Sequence, residues 1–295
     1  MRTRFILIHT SHAGNVGAAA RAMRTMGFDD LVLVAPRWPN VLRREETIQR
    51  ASGALDVLEH ARLVATLDEA LDGVTHLCAT AMVARDFGPP TRTPREYLPQ
   101  LASSPTAAQE TCVAFLFGCE RFGMRNEDVY RCHVALSIPA DPAFGSLNLG
   151  AAIQVIAYEW RLALGGFAPH ATDHGADAGP SPSAGASHDE APAAASPVAD
   201  AQAVAGMLAH WERALIDIGF LDPAAPKKLI PRLQQLYNRA RLMPEEIHIL
   251  RGIAKAMIEA KRPHSPAQTG TAVEKDEDSA RKHPSEKPAP QRVDA

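Results

Sequence analysis

Aromatic residues are scarce, at 5% of 295, and the four cysteines contain no CxxC pair. Cys78, Cys112, Cys119 and Cys132 sit mostly inside apolar runs, which argues for buried reduced thiols and against disulfides or zinc. No apolar run approaches the roughly 18 to 20 residues of a membrane span, so no membrane association is expected. The chain opens on a short strand-like run, Phe5 to Ile8, with no secretory apolar segment or cleavage site, and a cytoplasmic protein is expected. Neither charge dominates: 31 Lys plus Arg against 34 Asp plus Glu give -3, without the basic surplus of many nucleic-acid binders. A GxSxG elbow, an HExxH pair and any clustered ligand spacing are also missing, which removes common hydrolase readings and leaves no metal to expect. What is present, 46% hydrophobic and 22% charged residues, suits one or two folded cores.

The charges are unevenly placed. Residues 1–166 carry 16 arginines, no lysine and 17 acids. From Phe167 to Asp200, 34 residues hold 11 Ala, 5 Pro, 4 Ser, 3 Gly and five acids, with neither Lys nor Arg. Such a segment cannot bury enough apolar surface to offset its ordering entropy, so 167–201 reads as a disordered acidic linker. Prolines among mixed charges mark 261–295 as a disordered tail. Two folded pieces remain, 1–166 and 202–260.

In the first piece, apolar runs at Phe5 to His9, Leu31 to Ala35, His76 to Ala81, Cys112 to Phe117 and Val134 to Ile138 alternate with helical patterns. Continuous apolar strands separated by helices imply an α/β domain whose largely parallel sheet is covered on both faces. Helices are predicted from Gly17 to Met26, within Ile48 to Leu63, and from Leu149 to Leu164. The second piece shows only helical periodicity, at Val204 to Gly219, Lys227 to Ala240 and Pro244 to Ala260. Lys227, Lys228, Arg232, Arg239 and Arg241 surround its apolar face, as a solvated surface or as phosphate contacts.

Three loops carry candidate chemistry. After the first strand, Thr10-Ser11-His12-Ala13-Gly14-Asn15-Val16-Gly17 reads as a glycine turn opening a small-residue helix, which lets backbone amides approach a ligand. It lacks the middle glycine of a dinucleotide fingerprint, and the second strand runs into Pro36 and Arg37 in place of an acid, which argues against NAD. The second loop is Phe117-Gly118-Cys119-Glu120-Arg121-Phe122-Gly123-Met124, a tight surface turn or a place of close ligand approach. The third is Ile138-Pro139 and then Gly145-Ser146-Leu147-Asn148-Leu149, where Ser146 or Asn148 is available as a helix cap. His12 and His133 read as structural histidines.

In this order the three loops resemble the SPOUT methyltransferases, and within them the TrmJ family of tRNA 2'-O-methyltransferases. Ala20-Arg21-Ala22-Met23, Cys132-His133 and Val155-Ile156-Ala157-Tyr158-Glu159 extend the resemblance through the first piece. Ile218-Gly219-Phe220, Asn238-Arg239-Ala240-Arg241 and Leu250-Arg251-Gly252-Ile253 are similar to the carboxy-terminal helical region of bacterial TrmJ proteins. The resemblance implies a SPOUT-type parallel-sheet domain with a carboxy-terminal trefoil knot, a small all-α region after it, and a homodimer with its active site near the subunit interface. It implies S-adenosylmethionine as cofactor, held by Thr80, Ala81, Met82, Gly118, Ile138, Gly145, Ser146 and Leu147. It makes Arg21 the catalytic arginine, with Asn15, Ser146 and Asn148 as positioning candidates. It also implies tRNA as partner and, as reaction, methylation of the ribose 2'-hydroxyl of cytidine or uridine at position 32 of the anticodon loop. A SPOUT enzyme acting on another tRNA or rRNA nucleotide, and a non-catalytic RNA-binding paralogue, stay open as alternatives.

Overall fold

The computed structural model describes residues 1–81, 83–104, 111–167 and 198–260. Seven strands form one parallel sheet: β1 (Arg2–Ile8), β2 (Asp30–Val34), β3 (Arg62–Val64), β4 (His76–Thr80), β5 (Thr91–Arg92), β6 (Cys112–Phe117) and β7 (Val134–Leu136). Their spatial order is β3-β2-β1-β6-β4-β7-β5. Five of them are the expected apolar runs. The other two, β3 and β5, are edge strands of three and two residues, too short to print a periodic pattern.

The helices are α1 (Ala13–Thr25), α2 (Glu45–Ala51), α3 (Leu55–His60), α4 (Leu67–Ala70), α5 (Pro94–Ala102), α6 (Asn126–Tyr130), α7 (Leu149–Ala163), α8 (Ala201–Asp217), α9 (Leu229–Ala240) and α10 (Pro244–Ala260). Alternate strand residues feed two cores, because successive side chains of a strand point to opposite faces. Phe5, Leu7, Leu31, Leu33, Phe115 and Phe117 pack with α1, α2, α3, α5 and α7. Ile6, Ile8, Val32, Val34 and Leu116 pack with α4 and α6. Burial of each large apolar side chain contributes about 1.5–3 kcal/mol. Trp160 of α7 is fully buried, meets Phe115 edge to face at 5.7 Å, and donates its indole N–H to Thr3 Oγ1 at 2.9 Å.

The helix expected within Ile48 to Leu63 is two helices. Ser52 adopts φ +53° and Gly53 follows, which ends α2 before α3 begins. Helix α1 starts at Ala13, ahead of the predicted Gly17, so Gly14 and Gly17 lie inside it and face α2. A Cβ on Gly17 would run into the Thr47 carbonyl and the Ala51 amide. These glycines therefore bring two helices together and do not form an open ligand turn.

Helices α8 to α10 share a core of Met207, Leu208, Leu242 and Ile247 with Trp211 and Tyr237. The described residues belong to one compact unit. Asn238 of α9 donates to the carbonyls of Arg131 and Cys132, at 3.2 and 3.0 Å, and Gln235 donates to that of Tyr130 at 3.0 Å. Within the stretch read as linker, Asp200 caps α8 by accepting from the Ala203 amide, and the Ala201 amide donates to Val74. Residues 168–197 of that stretch, and the tail 261–295, lie outside the described residues.

Candidate active site

The chain runs outward from β1 through β2 to β3, and on the other side of β1 lies β6, so the strand order switches between β1 and β6. Open α/β sheets bind ligands at the carboxyl ends of strands at such a switch. A cavity of about 550 Å³ lies there, bordered by the ends of β4 and β6 and by the loop entering α7. Its walls include Asn15, Thr80, Ala81, Gly118, Ser146, Leu147 and Asn148. A smaller adjoining cavity of about 110 Å³ shares Thr80, Ala81 and Leu147 and adds Ile138 and Gly145. Of the residues given the twelve expected roles, all but Arg21 and Met82 line these walls. Met82 lies outside the described residues. Arg21 is exposed on α1, lines neither cavity and has no ion pair among the described residues.

Two positioning candidates have local duties. Asn148 caps α7, its Oδ1 accepting from the Ala151 amide at 2.8 Å. Asn15 donates its side-chain amide to Glu120 Oε1, also at 2.8 Å.

Glu120 is the residue that sequence reasoning left without a role. Its other oxygen accepts from the Ser11 amide at 2.9 Å and the Ser11 hydroxyl at 2.8 Å. The carboxylate thus ties the loop after β1 to the loop after β6 across the switch point. Burial by itself would raise its pKa, but the hydrogen bonds from Asn15 and Ser11 outweigh that and hold it below the usual carboxylate value. Glu120 is therefore ionised at neutral pH and lines the cavity as a fixed negative charge. The signal in the sequence was an acid directly after a glycine at a strand end, but its partners are 105 and 109 residues away.

Replacing Glu120 with glutamine leaves at least one of these donors unpaired, at a cost of about 1–3 kcal/mol. A melting temperature lower by several degrees is expected at pH 7, read by calorimetry. Because the folded-state pKa is depressed, this stabilisation is present above the ordinary value of about 4.3 and is lost as pH falls through the folded one. The variant should therefore approach wild type in acid, and a difference independent of pH would contradict the role.

Gly118 admits no side chain, since a Cβ there would fall on the backbone of Gly123 and Met124. Its loop doubles back, with the Gly123 amide donating to the Cys119 carbonyl at 2.7 Å and Gly123 at φ +66°. On the far wall, Val83 and Arg85 line the cavity, and Arg85 donates to the Met124 carbonyl at 3.0 Å. Lys228 and Arg232, at the start of α9, lie over the Phe87 ring at 5.8 and 5.1 Å, so the helical region touches the loop that forms this wall.

Cys78, Cys112 and Cys132 are buried free thiols, as expected, whereas Cys119 is half-buried at the cavity. Burial pushes the Cys78 and Cys132 thiols up, away from thiolate formation at neutral pH. His133 accepts from the Leu77 amide at 3.1 Å and lies against His76 with ring centres 4.4 Å apart and the rings tilted, at the strand ends opposite those that form the cavity. Burial, and then the Arg241 cation, push the His133 imidazole down to about 4. Protonation therefore favours the unfolded chain, so stability is complete above about pH 6.5 and falls toward pH 4. Urea unfolding at pH 7 and pH 5 checks this; a His133→Asn variant, which keeps an acceptor, should show a smaller difference.

The cavity's size is that of a small-molecule site, with apolar walls from Ile138, Leu147 and Ala152 and a few polar groups. An ionised carboxylate beside apolar and main-chain surface suits a cationic ligand with a flat aromatic part. Among the described residues no helix is long and apolar enough to cross a membrane.

Residues 2–158 match the SpoU rRNA Methylase family, and residues 202–266 match the tRNA methyltransferase TrmJ C-terminal domain. The tRNA (cytidine/uridine/adenosine-2'-O-)-methyltransferase TrmJ of Pseudomonas aeruginosa is 41% identical over 253 residues, 85% of this chain and 92% of its own. The tRNA (cytidine/uridine-2'-O-)-methyltransferase TrmJ of Salmonella typhimurium is 39% identical over 250 residues, 85% and 93% respectively. The crystal structure of TrmJ from Z. mobilis ZM4 superposes with a TM-score of 0.67 at 30% identity, covering 87% of this chain and 99% of its own. A probable methyltransferase from Bordetella pertussis Tohama I is 46% identical over 55% of this chain and 96% of its own, with a TM-score of 0.52. Matches of this identity and extent, over both the sheet and the helical region, show that the chain belongs to the TrmJ family of tRNA methyltransferases, within the SpoU methylases.

Proposed function

We propose that this protein is an S-adenosylmethionine-dependent methyltransferase acting on the ribose 2'-hydroxyl of cytidine or uridine at position 32 in the tRNA anticodon loop, as a homodimer. The observation that carries the reading is the cavity at the switch point, which gathers the described cofactor positions around an ionised Glu120. Ile138, Gly145 and Leu147 would enclose the apolar part of the cofactor, with Thr80, Ala81 and Gly118 beside it. Bound S-adenosylmethionine supplies an electrophilic methyl group on a sulfonium sulfur.

The protein's own contribution is placement and electrostatics. Glu120 offers the opposite charge to a cationic cofactor, and Ser146, whose side chain has no hydrogen bond among the described residues, is the positioning candidate that would meet the ribose. Arg21, whose guanidinium offers five N–H donors and no acceptor, serves to anchor a phosphate or to stabilise charge developing on the 2'-oxygen. Its distance from its own cavity fits a role at the partner subunit's site. Apolar surface for such an interface is present: Phe122 and Phe144, on loops bordering the cavity, are 83% and 84% exposed, and Tyr158 and Leu162 are exposed on α7. The trefoil threading belongs to the same reading, supported by the loops after β4 and β7 meeting at one cavity.

The test is incubation of the pure protein with labelled S-adenosylmethionine and unmodified tRNA, followed by mapping of the nuclease-resistant linkage. A 2'-O-methyl group at position 32 is expected. Cofactor binding without transfer would overturn the catalytic reading, and methylation elsewhere would overturn the position.

A further inference from the structure

Methylation of a hydroxyl needs a group that takes up its proton, and the charged residues of the cavity wall are poorly suited to that task. Arg85 is a donor only. Glu120 is ionised, but both of its oxygens already accept hydrogen bonds, and these hold its pKa below the usual carboxylate value, which makes it a weak base.

An imidazole lies two hydrogen bonds from that carboxylate. His12 ends the loop after β1 and is the N-cap residue of α1, a position where serine, threonine, asparagine or aspartate would bond the free helix amides. Its side chain is exposed and makes no capping bond. Its Nδ1 lies instead 2.9 Å from Ser11 Oγ, and that hydroxyl donates to Glu120 Oε2 at 2.8 Å.

The protons of this chain have one consistent arrangement. An ionised carboxylate can only accept, so the single proton of the Ser11 hydroxyl goes to Glu120. Ser11 Oγ is then an acceptor toward His12, and Nδ1 carries the ring proton. In the neutral ring this leaves the lone pair on Nε2, which has no hydrogen bond among the described residues. A base held in one tautomer by a third group is the arrangement that activates hydroxyl nucleophiles.

The backbone around the imidazole is fixed as well. The Thr10 carbonyl accepts from the Arg37 amide at 3.0 Å, and the His12 carbonyl accepts from the Asn15 amide at 3.2 Å. Asn15, one turn along α1, lines the cavity and grips the other oxygen of Glu120. The exposed ring of His12 therefore stands beside the part of the wall that Asn15 and Glu120 form.

We propose that His12 is the general base of the methyl transfer, oriented by Ser11 and backed by the carboxylate of Glu120. This rests on the function proposed above and adds to it the destination of the proton. His12 Nε2 takes the proton of the ribose 2'-hydroxyl as the oxygen bonds to the methyl carbon and the carbon–sulfur bond breaks, its electron pair staying on sulfur. The imidazolium keeps its Nδ1 proton on Ser11, has the Glu120 charge two hydrogen bonds away, and later releases the new proton to water. Ser11 is a positioning residue that acts through His12.

The test has two readouts on the full chain. The first is ring-nitrogen magnetic resonance in alkaline buffer, without cofactor or RNA. A His12 ring protonated on Nδ1 and bare on Nε2 is expected, with that preference lost in Ser11→Ala; the opposite tautomer in wild type would overturn the relay. The second is single-turnover transfer to unmodified tRNA at saturating S-adenosylmethionine. His12→Ala should lower the rate about 10²- to 10³-fold while melting temperature and cofactor affinity stay near wild type, because the ring caps nothing. Added imidazole should restore at least about tenfold of that loss, and a methylated, more basic imidazole should restore more. His12→Gln, similar in size but without a base, is the second variant should the alanine fold poorly, and should show the same loss. Ser11→Thr keeps the hydroxyl and should stay near wild type. Wild-type rates in either His12 variant, or a loss that no added base relieves, would overturn His12 as the base and leave the function standing. A wild-type protein that transfers no methyl group would overturn the function, and the base with it.

Discussion

Replacing Arg21 with alanine is expected to lower turnover about 10²- to 10³-fold while leaving the affinity for S-adenosylmethionine nearly unchanged. The two effects separate because Arg21 lines neither cavity of its own chain. Single-turnover transfer and calorimetric cofactor binding measure them. Arg21→Lys keeps a charge but loses the planar fork, so it should retain part of the RNA affinity and lose most of the turnover. Wild-type rates in that variant would sink the assignment. Subunit mixing decides which site the arginine serves. Combined at equal amounts and assayed at cofactor levels too low to fill a weakened cavity, Arg21→Ala and a cavity variant such as Gly118→Ala form hybrid dimers that hold one intact site if Arg21 acts across the interface. Recovery of up to about a quarter of wild-type activity is then expected. No recovery from demonstrated hybrids would place Arg21 in its own subunit's chemistry, and a monomer in solution would remove the interface altogether.

Gly118→Ala carries the other large effect. The added methyl would land on backbone at Gly123 and Met124, and backbone held by the Gly123 to Cys119 hydrogen bond cannot yield as a flexible side chain can. Overpacking of this kind costs about 1–3 kcal/mol, which lowers the melting temperature by about 2–12 °C. Cofactor affinity should fall at least about tenfold, because the displaced loop carries Cys119 and Glu120 into the cavity wall. Unchanged melting together with unchanged cofactor binding would show that the loop accommodates the methyl. Gly53→Ala serves as the control: a Cβ there meets nothing within 4 Å.

The α/β class and five of the seven strands were legible because strands buried on both faces are continuous apolar runs, a pattern local to each segment. The loops that border the cavity were legible through their glycines and their order along the chain. Helix α1 and its glycines were misread for a physical reason. Gly17 looks the same whether it faces a ligand or the Thr47 carbonyl, and only the packing of α2 distinguishes them.

The sequence by itself determined the parallel sheet and the helices of residues 202–260, which rest on periodicity that neighbouring residues express together, and the family to which the chain is similar, which rests on its motifs. Only the tertiary structure decided the strand order, and with it which loops meet. Glu120 became the centre of the cavity when β6 paired with β1, bringing its carboxylate to Ser11 and Asn15. His76 and His133 became neighbours, with tilted rings 4.4 Å apart, when β4 paired with β7. Hydrogen bonds and pKa shifts depend on distances of a few ångströms between residues more than fifty positions apart, and no local pattern along the chain encodes those distances.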